Sequence, residues 1–229
     1  MFEGFSAEMV SFFVSLSMNN NKVFFEENKQ MYERYVKRPL DALCQALGPV
    51  VLSIDPLFDT RPARSVSRIH RDVRFSKDKS PFRDYMWIGF RRTGESREDT
   101  CGFYFDVSAT DAHWGCGYYH VPNETMQNLR ELIVEKPRYV LSILEDEKFR
   151  SSFALMGERY VKKFEPPFDM PKPLSSLYQM KNIYAEHSIG DMGPLFSKDL
   201  LPQIIDGFQT LSGFYTMLRD CMTRKAREG

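Results

Sequence analysis

The chain is poor in the features that usually announce a function. It has four cysteines in 229 residues, Cys44, Cys101, Cys116 and Cys221, far apart and with no C-x-x-C pair. They read as reduced thiols of a cytoplasmic chain, the alternative being an extracellular pair. No stretch approaches the roughly 20 apolar residues that a membrane-spanning helix requires, and the first residues carry an acid where a secretory leader would carry a base. Lysine plus arginine equals aspartate plus glutamate, 31 each, so the formal net charge is zero. A general polyanion binder carries excess positive charge, which argues against a nucleic-acid partner. There is no GxxxxGK[ST] phosphate loop, no GxGxxG after a strand and no GxSxG elbow. Internal repeats and low-complexity segments are absent as well.

What is present is a core. Hydrophobic residues make up 42% of the chain and aromatic residues 14%, enough for a sizeable interior. Behind Ser6 as a cap, Met9, Phe12, Phe13 and Leu16 recur at helical spacing. Asn21 is placed to cap a second helix, Pro39 to kink or restart it, and Gly48-Pro49 to end it. The period then becomes two. Strands are predicted at 65–69, 85–91, where Met86, Ile88 and Phe90 share a face, 102–108, where Phe103, Phe105 and Val107 do, and 114–120. Polar stretches at 91–100 and 108–113 read as hairpin loops, and short connections between consecutive strands imply an antiparallel sheet. Helices return after Pro122 and again at Pro137, with a short one around 149–155. The proline-rich 165–173 reads as an extended connection and 180–187 as a returning strand. Ser197 or Asp199 then caps a long C-terminal helix striped with Leu201, Ile204, Ile205, Phe208, Leu211, Tyr215 and Leu218. The expectation is a single α+β domain over residues 1–229, an antiparallel sheet of about five strands covered by helices.

Chemistry concentrates in "RIHRDVRFSKDKSPFR", residues 68–83, with six basic and two acidic side chains. If 68–74 is extended, Arg68, His70, Asp72 and Arg74 share one face and Arg71 lies on the other. An arginine fork grips phosphate or carboxylate bidentately, so Arg68, Arg71 and Arg74, with Lys77 and Lys79 on the following turn, are candidates to hold a small anionic ligand. The competing reading is that Asp72, Asp78 and Asp84 neutralise these cations in a salt-bridge network, as in a structural or interaction protein.

This stretch resembles the central signature of a family called domain of unknown function 2461. "NNNKVFFEENKQMYERYVKRPL", 19–40, and "GCGYYHVPNETMQNLR", 115–130, are similar to flanking blocks of the same family, in the same order. The resemblance covers most of the chain and implies no particular activity. The family signature is expected to carry an aromatic or small polar residue where this chain has His70, so a role needing that imidazole would be peculiar to this protein.

Weaker constellations accompany the basic stretch. His70-x-Asp72 could join His113, His120 or His187 in the two-histidine, one-carboxylate set of a non-haem iron oxygenase. His113, Cys116 and His120, with Cys101 from a neighbouring strand, could supply zinc ligands, although His113 and Cys116 point to opposite faces of a strand. Gly115 and Gly117 bare one face of their strand for a ligand, a backbone or a packed helix, with Tyr104 and Tyr118, or Tyr119, as candidate pocket walls. Glu26 and Glu27 sit in a helix's first turns, where the dipole alone is reason enough for a carboxylate. The sequence assigns no catalytic residue, cofactor, metal or oligomeric state. Its leading expectation is a cytoplasmic protein with no membrane contact that binds a small anion.

Overall fold

A computed structural model describes residues 2–96, 100–118, 120–160 and 164–224. Tyr119 and residues 97–99 of the expected hairpin loop lie outside the described residues. The protein is α+β, with a five-stranded antiparallel sheet in the order β1-β2-β3-β5-β4. The strands are β1 Met86–Phe90, β2 Cys101–Val107, β3 Ala112–Tyr118, β4 Ala154–Met156 and β5 Tyr184–Ser188. Two compact units are distinguished. One comprises residues 1–90, 104–114 and 188–206; the other comprises 91–103, 115–187 and 207–229.

The first unit is built from the predicted N-terminal helices. Ala7–Met18 buries Met9, Phe12, Phe13 and Leu16, the stripe read from the sequence. Asn21 caps Lys22–Glu27 by accepting the Phe24 N–H at 3.0 Å. A π-helical turn, Tyr32–Lys37, precedes the helix Arg38–Ile54, in whose first turn Pro39 sits. The chain is already helical before it, Arg38 N donating to the Glu33 carbonyl, and this widened turn accommodates the proline. Gly48-Pro49 does not end this helix, which continues to Ile54. Leu47, Val50 and Val51 are buried on either side of the proline, and their burial outweighs the one backbone hydrogen bond lost.

Two strand expectations need correction here. Pro62–Ser65 is a turn of helix, begun by Pro62 and tied by Ser65 Oγ donating to the Asp59 carbonyl at 2.8 Å. Only Val66 then bridges Ile88, with Ser67 N donating to Trp87 O at 2.8 Å, so 65–69 is no strand. Nor is 68–74, where a single bridge joins His70 to Phe82. The β1 and β2 patterns hold: Met86, Ile88 and Phe90, and Phe103, Phe105 and Val107, are all buried.

The second unit contains the helices Asn123–Glu135 and Pro137–Leu144, each begun where a proline predicts. The short helix ends at Ser152, and the residues that follow form β4, an element absent from the sequence expectation. β4 pairs with β5 antiparallel, Ala154 opposite Glu186 and Met156 opposite Tyr184. Gly117 answers the question raised by the bare strand. It lies at φ +155°, and a Cβ there would come within 2.4 Å of the Tyr184 Cα. The glycine therefore permits the approach of the neighbouring strand's backbone.

The C-terminal helix is present but interrupted. Leu200–Thr210 and Ser212–Thr223 meet at Leu211, with Leu200, Ile204, Phe208, Leu211, Tyr215 and Leu218 buried. Leu201 and Ile205 are half-buried.

Candidate functional site

The basic stretch is an irregular loop closed by its own side chains and by one helix. Arg71 N donates to Pro81 O and Arg83 N to Ile69 O, which brings the two ends together. Asn20 then pairs with the Phe82 backbone in both directions, accepting its N–H at 3.0 Å and donating to its carbonyl at 2.9 Å. The Phe25 ring stacks on Phe82 at 4.2 Å between centroids, and His70 lies against both rings, 5.9 and 5.1 Å away. Two of the sequence blocks quoted above therefore meet through Asn20 and Phe25 on one side and His70 and Phe82 on the other. His70 serves as a packing ring, a role an aromatic residue would fill equally well.

The charges are arranged within the loop. Asp72 takes the Arg74 guanidinium as a fork, Nε to Oδ1 at 2.9 Å and Nη2 to Oδ2 at 2.6 Å. Arg71 pairs with Asp78 across the loop. Lys79 donates to the Val73 carbonyl at 2.9 Å and Arg83 to that of His70 at 2.6 Å. Donation from Arg74 lowers the Asp72 carboxyl to about 2. Hydrogen bonds from Ser80, and then from Arg71, hold Asp78 further down still. Arg68, Lys77 and Asp84 are exposed and make no ion pair among the described residues. Phe75, at the tip, is 94% exposed.

Of the expected pocket walls, Tyr104 is half-buried on β2 and Tyr118 is buried on β3, 3% exposed. Burial pushes the Tyr118 hydroxyl well up, and that hydroxyl has no hydrogen-bond partner among the described residues. The weaker constellations are dispersed. Both oxygens of Asp72 are held by Arg74, His113 Nδ1 is 2.9 Å from Asp106 Oδ1, and His187 Nδ1 is 2.7 Å from the Ser152 carbonyl. Among the described residues, no three histidine, cysteine, aspartate or glutamate side chains are grouped so as to hold a metal ion. Glu26 makes an exposed pair with Lys29, 3.9 Å away.

A second place, in the other unit, was missed from the sequence. Arg130 stands on Asn123–Glu135 among Met126, Leu129 and Ile133, and is itself only 5% exposed. Its Nε and Nη2 donate to the carbonyls of Tyr178 and Met180 at 2.9 and 2.8 Å, and its guanidinium lies 3.7 Å from the Phe164 ring centroid. It borders a groove of about 410 Å³ together with Asn123, Gln127, Tyr160, Phe164 and Lys181. The available signal was its position: 126, 129, 130 and 133 follow the i, i+3, i+4, i+7 spacing of a buried stripe, and a charge there requires a reason.

The chain has no match among curated proteins at a significant level. The profile of a family described as conserved hypothetical protein, DUF2461, matches residues 8–217, nearly the whole chain. The chain belongs to the DUF2461 family.

Proposed function

We propose that this protein binds a small anionic ligand, phosphate- or carboxylate-bearing, at the basic loop 68–83. The observation that carries the reading is the concentration of charge. Six cations and two acids leave four positive charges in excess on one loop of a chain whose total is zero. Arg68 and Lys77 are exposed with no carboxylate of their own among the described residues. Arg74 engages Asp72 through Nε and Nη2, and Arg71 engages Asp78 through Nη1, so each guanidinium keeps N–H donors for a ligand. Lys79 holds the turn through Val73, and Tyr104, half-buried on β2, is kept as the candidate wall in place of Tyr118, which is interior. The four thiols, all free and buried, support a cytoplasmic setting.

Calorimetric titration of the full chain with inorganic phosphate and with malonate tests this. We expect saturable binding that weakens as salt rises, because exposed charges are screened over about 8–10 Å at physiological ionic strength. The Arg68→Ala, Lys77→Ala double variant should lose that binding with its melting temperature unchanged. Wild-type protein that takes up neither anion would end the proposal.

A second reading is favoured by the Asp72–Arg74 and Arg71–Asp78 pairs: the loop is a self-locked structural element that presents Phe75. It predicts that replacing Arg71 or Arg74 loosens the loop while no anion titration responds.

A further inference from the structure

The two buried arginines of the second unit differ in one respect. Arg219, on Ser212–Thr223, has its counter-ion: Nη1 is 2.8 and 3.0 Å from the two carboxylate oxygens of Glu95. Arg130 has none among the described residues. Its side-chain hydrogen bonds there go to backbone carbonyls, one of them Tyr178 in the last turn of the helix Lys172–Tyr178. Those bonds satisfy Nε and Nη2 and cap the negative end of that helix. They bring no anion to a mostly buried guanidinium whose compensation is the Phe164 ring, and its Nη1 keeps donors for one. Burial pulls the Arg130 pKa below its ordinary value. Glu131 and Glu135 border a smaller groove that also reaches Arg130, but Glu135 pairs with Arg224 and neither makes an ion pair with Arg130.

The groove that Arg130 borders is large enough for a small molecule, and its lining is mostly polar. Its volume of about 410 Å³ falls in the range small-molecule sites occupy. Tyr160 and Phe164 form an aromatic corner, ring centroids 5.1 Å apart and nearly perpendicular. The Lys181 ammonium stands 5.3 Å from the Tyr160 ring and 3.2 Å from Glu158, on an exposed pair that is weak in water. Asn123 and Gln127 add neutral amides, and Glu124 is the acidic side chain on the rim.

We infer that this groove binds an organic anion in which a carboxylate or phosphate is attached to a planar ring. Arg130 Nη1 and Lys181 hold the anionic group, and the ring packs into the corner of Tyr160 and Phe164. The site is separate from the basic loop and does not depend on it: every residue named belongs to the other unit.

The test is a titration of the full chain with phenyl phosphate and benzoate, against inorganic phosphate and phenol. Phenyl phosphate or benzoate should bind saturably, whichever head group the site prefers, at least about tenfold more tightly than inorganic phosphate or phenol. Lys181→Met, on the surface, should fold normally and weaken that binding about tenfold, the loss of one charge-assisted contact. Arg68→Ala with Lys77→Ala should leave it unchanged, which separates this site from the loop. The inference is overturned if neither aromatic anion saturates by about 10 mM. It is overturned as well if phenol binds as tightly as they do, if Lys181→Met binds like wild type, or if the loop variant abolishes the binding.

Discussion

Asn20 shows how much one side chain can settle. It is half-buried, it lies outside any helix, and both ends of its amide are spent on the backbone of a residue 62 positions away. Asn20→Ala leaves the Phe82 N–H and carbonyl without those partners, and each lost bond to a part-buried group costs roughly 0.5–1.5 kcal/mol. We expect Asn20→Ala to lower stability by about 1–3 kcal/mol in denaturant titration. Exchange protection should be lost at the Phe82 amide first. A variant as stable as wild type, with that amide still protected, would show that the ring stack of Phe25, His70 and Phe82 holds the loop unaided. The same scale explains what was and was not legible. The three asparagines were visible as a helix break and a cap, and Asn21 is that cap. Nothing in the local sequence says that Asn20 faces Phe82, because a contact across 62 residues leaves no periodic trace. Arg130 is the opposite case. Its place in an apolar stripe could be read, but its partners, the carbonyls of Tyr178 and Met180, could not.

At the scale of elements, the basic loop is held by charge pairs that titrate together. Asp72 and Asp78 have folded pKa values depressed below the usual carboxylate range, Asp72 to about 2. A depressed acid contributes its pairing fully above its unfolded value, near 3.9, and loses it as pH falls through the folded value. The loop is therefore expected to stay closed from neutral pH down to about 4 and to open only as the pH approaches 2. Side-chain carboxyl resonances followed by NMR should show Asp72 titrating near 2 and Asp78 lower still. Midpoints near 4 for both would mean that neither pair forms in solution. Elements also divide the legible from the hidden. β1 and β2 were readable because burial on one face imposes a period of two. β4 was not, since three residues are too few for a period and its place is set by pairing with β5. The stretches 65–69 and 68–74 alternate in sequence like strands, yet each forms a single bridge, because Pro62 begins a helical turn before the first and the charge pairs curl the second.

For the whole molecule, the four thiols provide a probe of folding. Cys44 belongs to one unit and Cys101, Cys116 and Cys221 to the other, and all four are buried. Burial raises Cys44 and Cys221 to about 12, so little thiolate forms at pH 8. We expect the native protein to be inert to a thiol reagent and to release all four thiols in one unfolding transition, as the single domain read from the sequence requires. A thiol that reacts rapidly in native buffer, or release in two steps, would refute that expectation. No described helix is long and apolar enough to cross a membrane, in keeping with the lack of long apolar runs.

The sequence by itself determined the class of the fold, the strands with a buried face, most helix starts and the family, since each is written in local spacing or in contiguous blocks. Only the tertiary structure decided what the charges do. The Asp72–Arg74 fork and the Arg71–Asp78 pair hold the basic stretch as a closed loop, and burial without a carboxylate among the described residues marks Arg130, which the charge count did not distinguish. The reason is physical. A local period reports which face of an element leaves water, whereas the state of a charge depends on what stands within a few ångströms of it, and that is set by chain segments far apart in sequence.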